Sequence, residues 1–183
     1  MNKFPKDSII ILILLGLILT GCFKDNPEYN EIRFISDRDY YPAFHSLSVN
    51  ASERIYVVIY LAKFHKTRET QVNMILDDLI FAKNRGLDVR VILNLSSWDS
   101  TLNSYNKEFI DSLLKYDIIA SFDNPEVTTH AKCVVFDGEI TILGSTNWTT
   151  SALEYNNEVN IELHNKEICS EIERYIDNLW EDR

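Results

Sequence analysis

The chain has 183 residues, 45% of them hydrophobic and 25% charged, and a formal net charge of −10. That length suits one domain of ordinary size, and so apolar a composition excludes a disordered acidic chain. An acidic protein does not hold nucleic acid by overall charge alone, and three cysteines are too few for a disulfide scaffold.

The first elements precede the domain. Residues 1–8 carry Lys3 and Lys6, and residues 9–19 are a run of Ile and Leu broken only by Gly16. This run is short of the ~20 apolar residues that a spanning helix needs. A basic start, an apolar centre and small residues before Cys22 follow the plan of a secretory signal. The ending Leu19-Thr20-Gly21-Cys22 resembles the lipobox of prokaryotic lipoproteins. The resemblance implies a signal peptide over 1–21 and a lipid on Cys22. It also implies an extracytoplasmic place on the membrane of the cell envelope. The alternative is an uncleaved anchor, which leaves the domain on the same side. Removal of 1–21 takes Lys3, Lys6 and Asp7 with it, so the side-chain balance moves from −10 to −11. By that resemblance residues 22–30 would be the lipidated cysteine and a polar tether, with the domain over 31–183.

Within the domain, residues 32–35 predict a short strand and 42–51 a weakly periodic helix. Residues 55–61 (IYVVIYL) are continuously apolar and β-branched, which suits a central strand covered on both faces. Val72, Ile75, Leu76, Leu79 and Ile80 recur at helical spacing, with Thr70 placed to cap the start and Gly86 just past the end. A strand follows over 89–95, a helix over 105–115 through Phe109, Ile110, Leu113 and Leu114, and a strand over 117–122. Two apolar runs, 130–136 and 139–143, are then separated by Asp137-Gly138. Asp-Gly between strands signals a type I′ hairpin, whose two turn residues need positive φ. Residues 158–163 alternate, with Val159, Ile161 and Leu163 on one face. Ile168, Ile172, Tyr175, Ile176 and Leu179 form a terminal amphipathic helix. Helices alternate with strands early and a hairpin comes late, which predicts an α/β fold with a mixed sheet and helices on both faces. Cys133 falls in a strand and Cys169 in a helix. Export permits a disulfide between them; two separate small buried residues is the other reading.

One constellation carries chemistry: His130-Ala131-Lys132 and Asp137, then Gly144-Ser145-Thr146-Asn147. Two residues apart in a strand, His130 and Lys132 project from one face, ~7 Å apart along the chain. The hairpin returns the loop at 145–147 to their neighbourhood. Imidazole, ammonium, hydroxyl and amide then converge, a set suited to an oxyanion.

The pattern H-x-K-x4-D followed by G-S-x-N resembles the motif of the phospholipase D superfamily. Six fixed positions match by chance at about 10⁻⁸ of starting points. Residues 82–94 (AKNRGLDVRVILN) look like the family's helix-to-strand stretch, and 144–158 like its downstream end. The resemblance covers about 40–182 and points to its single-motif members, namely compact bacterial endonucleases and the mitochondrial single-motif protein. It implies a phospholipase D-like fold and a phosphodiester hydrolase without metal or cofactor. His130 would attack phosphorus to form a phosphohistidine. Lys132, Ser145 and Asn147 would bind the non-bridging oxygens. Glu158 would accept from the far nitrogen of His130 and fix its tautomer. Asp137 would orient the site or form the turn. The sequence offers no His/Cys/Asp cluster with ligand spacing.

The family mechanism needs two histidines, and this chain has one motif. His45, His65 and His164 lack a following Lys and Asp in register. An isologous homodimer would bring two copies of His130 together. Nucleic acid and phospholipid phosphodiesters both fit, as do hydrolysis and transfer to an alcohol. Lys63-Phe64-His65-Lys66-Thr67-Arg68 is the only dense basic run; it reads either as a hold on a phosphate backbone or as a solvated loop. Trp98, Trp148 and Trp180 read as core or as membrane contacts. Set against an enzyme is a lipid-anchored phosphate-binding module without turnover.

Overall fold

The computed structural model describes residues 31–183. The expected signal segment, Cys22 and the expected tether lie outside the described residues. Among the described residues no helix is long and apolar enough to cross a membrane.

The elements run β1 (Glu31–Ser36), a short 3₁₀ turn (Asp37–Asp39), α1 (Tyr40–Asn50), β2 (Arg54–Ile59), β3 (Ala62–Lys63), α2 (Gln71–Asn84), β4 (Asp88–Leu93) and α3 (Ser100–Leu114). They continue with β5 (Ile119–Phe122), β6 (Lys132–Phe136), β7 (Ile140–Gly144), β8 (Trp148–Thr149), α4 (Thr150–Glu154), β9 (Val159–His164) and α5 (Lys166–Glu181). Seven strands form one mixed sheet in the order β1-β9-β7-β6-β2-β4-β5, and β3 and β8 form a small second sheet. Strands β2, β4 and β5 run parallel, and β2-β6-β7-β9-β1 are successively antiparallel.

Strand β2 shows why the sheet is covered on both sides. Ile55, Val57 and Ile59 point into the core made with α1, α2, α3 and Leu153 of α4. Tyr56 and Val58 point the other way, into a smaller core with Cys169 and Ile176 of α5. The alternation is invisible in a run apolar at every position, because both faces are buried.

The hairpin turns as its sequence requires. Asp137 and Gly138 have φ of 54° and 69°, and Glu139 N–H donates to the Phe136 carbonyl at 3.0 Å. Four details differ from expectation. Strand β6 begins at Lys132, so His130 precedes it. Helix α3 begins at Ser100, where Asp99 accepts from Leu102 N–H at 2.9 Å and caps a polar first turn. In β9 the polar Asn160 and Glu162 are buried while Val159 is exposed. Thr70 stands at the cap position of α2, but its hydroxyl donates to the Asn73 side chain at 2.7 Å and caps no backbone N–H. Cys133 and Cys169 are separate buried free thiols. Cys169 takes a hydrogen bond from the Thr141 hydroxyl at 3.1 Å, and burial pushes the Cys133 thiol up to about 12.

Candidate active site

The ladder between β2 and β6 sets the first half of the site. Lys132 lies opposite Ile59, and one step on, Tyr60 N–H donates to the Ala131 carbonyl at 2.9 Å. The residue between His130 and Lys132 is therefore pinned to the end of the central strand. Lys132 is buried to 8% exposure, and its Nζ donates to the His130 carbonyl at 2.6 Å. The His130 ring packs on the Tyr60 ring at 4.5 Å between centroids. Lys132 Nζ sits 4.9 Å from the centroid of that same ring. Burial pulls the Lys132 ammonium below its ordinary value, opposed by the Glu158 carboxylate. Partial desolvation, then the Lys132 charge, holds the His130 imidazole below its ordinary value. A lowered imidazole is neutral at pH 7 and offers a free nitrogen lone pair.

The second half is the loop after β7. Gly144 lies so close to β9 that a β-carbon would collide with the Val159 carbonyl and with Asn160. Ser145 N–H donates to the Val159 carbonyl at 3.0 Å, and Val159 N–H donates back to Ser145 Oγ at 3.1 Å. The buried Thr146 and Asn160 exchange two hydrogen bonds. Trp148 is fully buried and donates from its indole to the Tyr40 hydroxyl at 3.0 Å, which anchors the far end of the loop in the core. Asn147 is half-buried, and its side-chain oxygen has no hydrogen-bond partner among the described residues. Ser145 Oγ donates to Glu158 Oε2, and Asn156 Nδ2 donates to Glu158 Oε1 at 3.1 Å.

The two halves meet electrostatically through Lys132 and Glu158. Glu158 is placed otherwise than expected, and of the two roles open to Asp137 the structure gives the turn. Among the described residues the His130 ring makes no hydrogen bond, and Glu158 reaches Ser145 and Asn156 instead. Asp137 lies at the other end of β6, five residues or ~16 Å along a strand from Lys132. Its carboxylate accepts from the backbone N–H groups of Ser52, Glu53 and Arg54 at 2.8–2.9 Å. It is a turn and loop clamp, away from the imidazole.

Two residues of the site escaped the sequence. Tyr60 read only as the end of an apolar strand; its place at the C-terminal end of a parallel strand, where sites gather, was the available signal. Asp37, at φ 48°, accepts from Glu158 N–H at 2.7 Å and so holds the carboxylate's backbone; nothing in the pattern marks it.

The remaining candidates are occupied elsewhere. In the basic run, Lys66 pairs with Glu108 at 2.9 Å, Arg68 with Glu154 at 3.7 Å, and Lys63 Nζ lies 4.0 Å over the Tyr105 ring. His45 binds Asp78 between α1 and α2 at 2.9 Å. His164 binds Glu162 at 2.8 Å, at the end of β9 away from Ser145. Within one chain, no second histidine among the described residues joins His130. Of the tryptophans, Trp98 stands 72% exposed on the loop after β4.

A family model described as "Cardiolipin synthase, PLD-like domain" matches residues 47–180, which hold the whole constellation. The chain belongs to the phospholipase D-like family. That family is one of phosphodiesterases and nuclease-like proteins. Two solved structures share the fold. The phospholipase D family member Nuc from Salmonella typhimurium superposes with a TM-score of 0.71 at 18% identity, over 84% of this chain and 96% of that one. NucT from Helicobacter pylori gives 0.68 at 21% identity, over 84% and 98%. Among curated proteins, the mitochondrial cardiolipin hydrolase of Chlamydomonas reinhardtii is 27% identical over 105 residues, 57% of this chain. The matched stretch spans 45% of that relative's length. In this phospholipase D-like domain the motif residues His130, Lys132, Ser145 and Asn147 lie at one end of the sheet, and the motif aspartate lies at the other.

Proposed function

We propose that the protein is a metal-independent phosphodiester hydrolase acting through a phosphohistidine on His130. The observation that carries this reading is the His130 imidazole packed on the Tyr60 ring beside the buried Lys132. A neutral imidazole nitrogen bonds to phosphorus as the bond to the leaving oxygen breaks. Lys132 and Asn147 meet the negative charge that gathers on the non-bridging oxygens, with Ser145 beside them. The leaving oxygen takes a proton from the His130 of a second copy, the two facing imidazoles entering the reaction with one proton held between them. Water then attacks the phosphohistidine, that second imidazole takes the water's proton, and the phosphorus–nitrogen bond breaks.

The second copy has a surface to use. Helix α5 covers β2, β4, β6 and β7 and reaches the Leu163 end of β9, but the same face of β1 and of the Val159 end of β9 stays open. There Ile32, Phe34 and Val159 stand 66%, 65% and 57% exposed. A groove of about 350 Å³ lined by Leu143, Ile172 and Tyr175 adjoins this face and includes His130 and Lys132. Exposed apolar area of this kind marks association sites, and a two-fold pairing here would bring two His130 residues near each other.

The test is turnover of bis(p-nitrophenyl) phosphate with EDTA present. His130→Asn is expected to abolish it; equal rates in variant and wild type refute the nucleophile. Turnover of no diester by the wild type favours a binding module. Single-stranded DNA, RNA, phosphatidylcholine and cardiolipin, compared side by side, then assign nucleic acid or phospholipid as the substrate.

We also propose that the protein is an envelope lipoprotein, on the lipobox-like ending at Cys22. Labelled fatty acid is expected to enter the wild type and not Cys22→Ala. Equal labelling of the two excludes lipid on that cysteine.

A further inference from the structure

We propose that Tyr60 is a positioning residue for catalysis, its ring a shared face that holds the His130 imidazole and the Lys132 ammonium together. The inference rests on the reading of His130 as nucleophile.

Tyr60 is fixed from both sides. Its N–H donates to the Ala131 carbonyl at 2.9 Å, between the two catalytic residues. Its carbonyl accepts from Nδ2 of the buried Asn106 of α3 at 2.9 Å. The ring is thus presented at a set place past the end of β2. The His130 imidazole lies on it, tilted 57° at 4.5 Å, and the Lys132 ammonium lies 4.9 Å from its centroid. Imidazoles at catalytic and metal sites are usually oriented by a hydrogen bond from the far nitrogen. Here Glu158 is engaged with Ser145 and Asn156, so packing on Tyr60 does the orienting. The same ring steadies a long side chain through a cation–π contact. A neutral ring also differs from a carboxylate in its effect on titration. A carboxylate would raise the imidazole and fill its lone pair with a proton; the ring packs against it without adding charge.

The groups facing His130 are Lys132 from β6, Tyr60 from the end of β2, and Asp123, Tyr175 and Asp182 across an adjoining groove of about 370 Å³. Partial desolvation is the first cause of the lowered His130 imidazole. Removing the ring strips the packing from one face of the imidazole, which is then expected to rise toward its ordinary value. The acid limb of kcat then moves up with it.

The experiment titrates the His130 ring protons by NMR in wild type, Tyr60→Phe, Tyr60→Leu and Tyr60→Met, with His130→Asn assigning the signal. In the Leu and Met variants the His130 midpoint is expected to rise. In those variants kcat is expected to fall roughly 10- to 100-fold with KM little changed. Tyr60→Phe keeps the ring and is expected to match wild type in both readouts. An unmoved midpoint in a folded Leu or Met variant overturns the proposal, and so does a Phe variant as impaired as Leu. The titration needs no turnover. Failure of this inference is therefore distinct from failure of the phosphodiesterase reading, which would show as undiminished hydrolysis by His130→Asn.

Discussion

Asp137 shows how a residue inside a catalytic motif can serve the fold. Its carboxylate takes the N–H groups of Ser52, Glu53 and Arg54 and the Ser52 hydroxyl. Burial opposes its ionisation, but these donors outweigh burial and hold the carboxyl below its ordinary value of 3.8. A folded value below the unfolded one means that the ionised form stabilises the fold. That stabilisation is complete above the unfolded value and is lost as pH falls through the folded one. Asn at this position tolerates the φ of 54° but loses the charge and one acceptor oxygen. Asp137→Asn is expected to cost about 1–3 kcal/mol in urea unfolding at pH 7, with the gap closing below about pH 4. Turnover by the folded variant is expected to match wild type. A variant of normal stability and lost turnover would return Asp137 to the chemistry.

At the scale of elements, what was legible followed from how each element is held. Strands β2 and β4 are buried on both faces and announce themselves as apolar runs. The hairpin is legible because two residues must take positive φ and the chain spells Asp-Gly there. Helix α3 was legible only where it is apolar. Its first turns carry polar side chains that serve the interior: Asn103 accepts from Ser96 N–H at 2.8 Å, and the buried Asn106 bonds Tyr60, Asn94 and Ala62. Hydropathy cannot report polar residues satisfied inside. Strand β9 was legible as a strand but not by face, since Asn160 is buried to bind Thr146 while Val159 is left on the open face. The site divides in the same way. The types and spacing of His130, Lys132, Ser145 and Asn147 were enough to name the family. The partner that Glu158 chooses depends on a loop conformation set by Asp37, 121 residues away in sequence. Tyr60 gains its role only from the strand that pairs beside it.

At the scale of the whole molecule, the proposed mechanism calls for two histidines, and each chain would bring one His130 to a shared site. Self-association would work against the repulsion of two chains of net charge −10, and the exposed Ile32, Phe34 and Val159 of β1 and β9 are the surface proposed to supply the attraction. This gives a test that depends on stoichiometry rather than on any one contact. Wild type and His130→Asn, solubilised in detergent, are mixed in equal amounts and allowed to exchange partners. If each site draws one imidazole from each copy, only pairs of two wild-type chains are active. Random pairing then leaves about one quarter of the activity of the same total amount of wild type, whereas independent monomers leave about one half. A value near one half after verified exchange refutes the composite site. Phe34→Lys locates the interface: a lysine on that face is expected to give a monomer in sedimentation and to remove turnover while the fold persists. A Phe34→Lys protein that stays dimeric and active moves the interface elsewhere on the molecule.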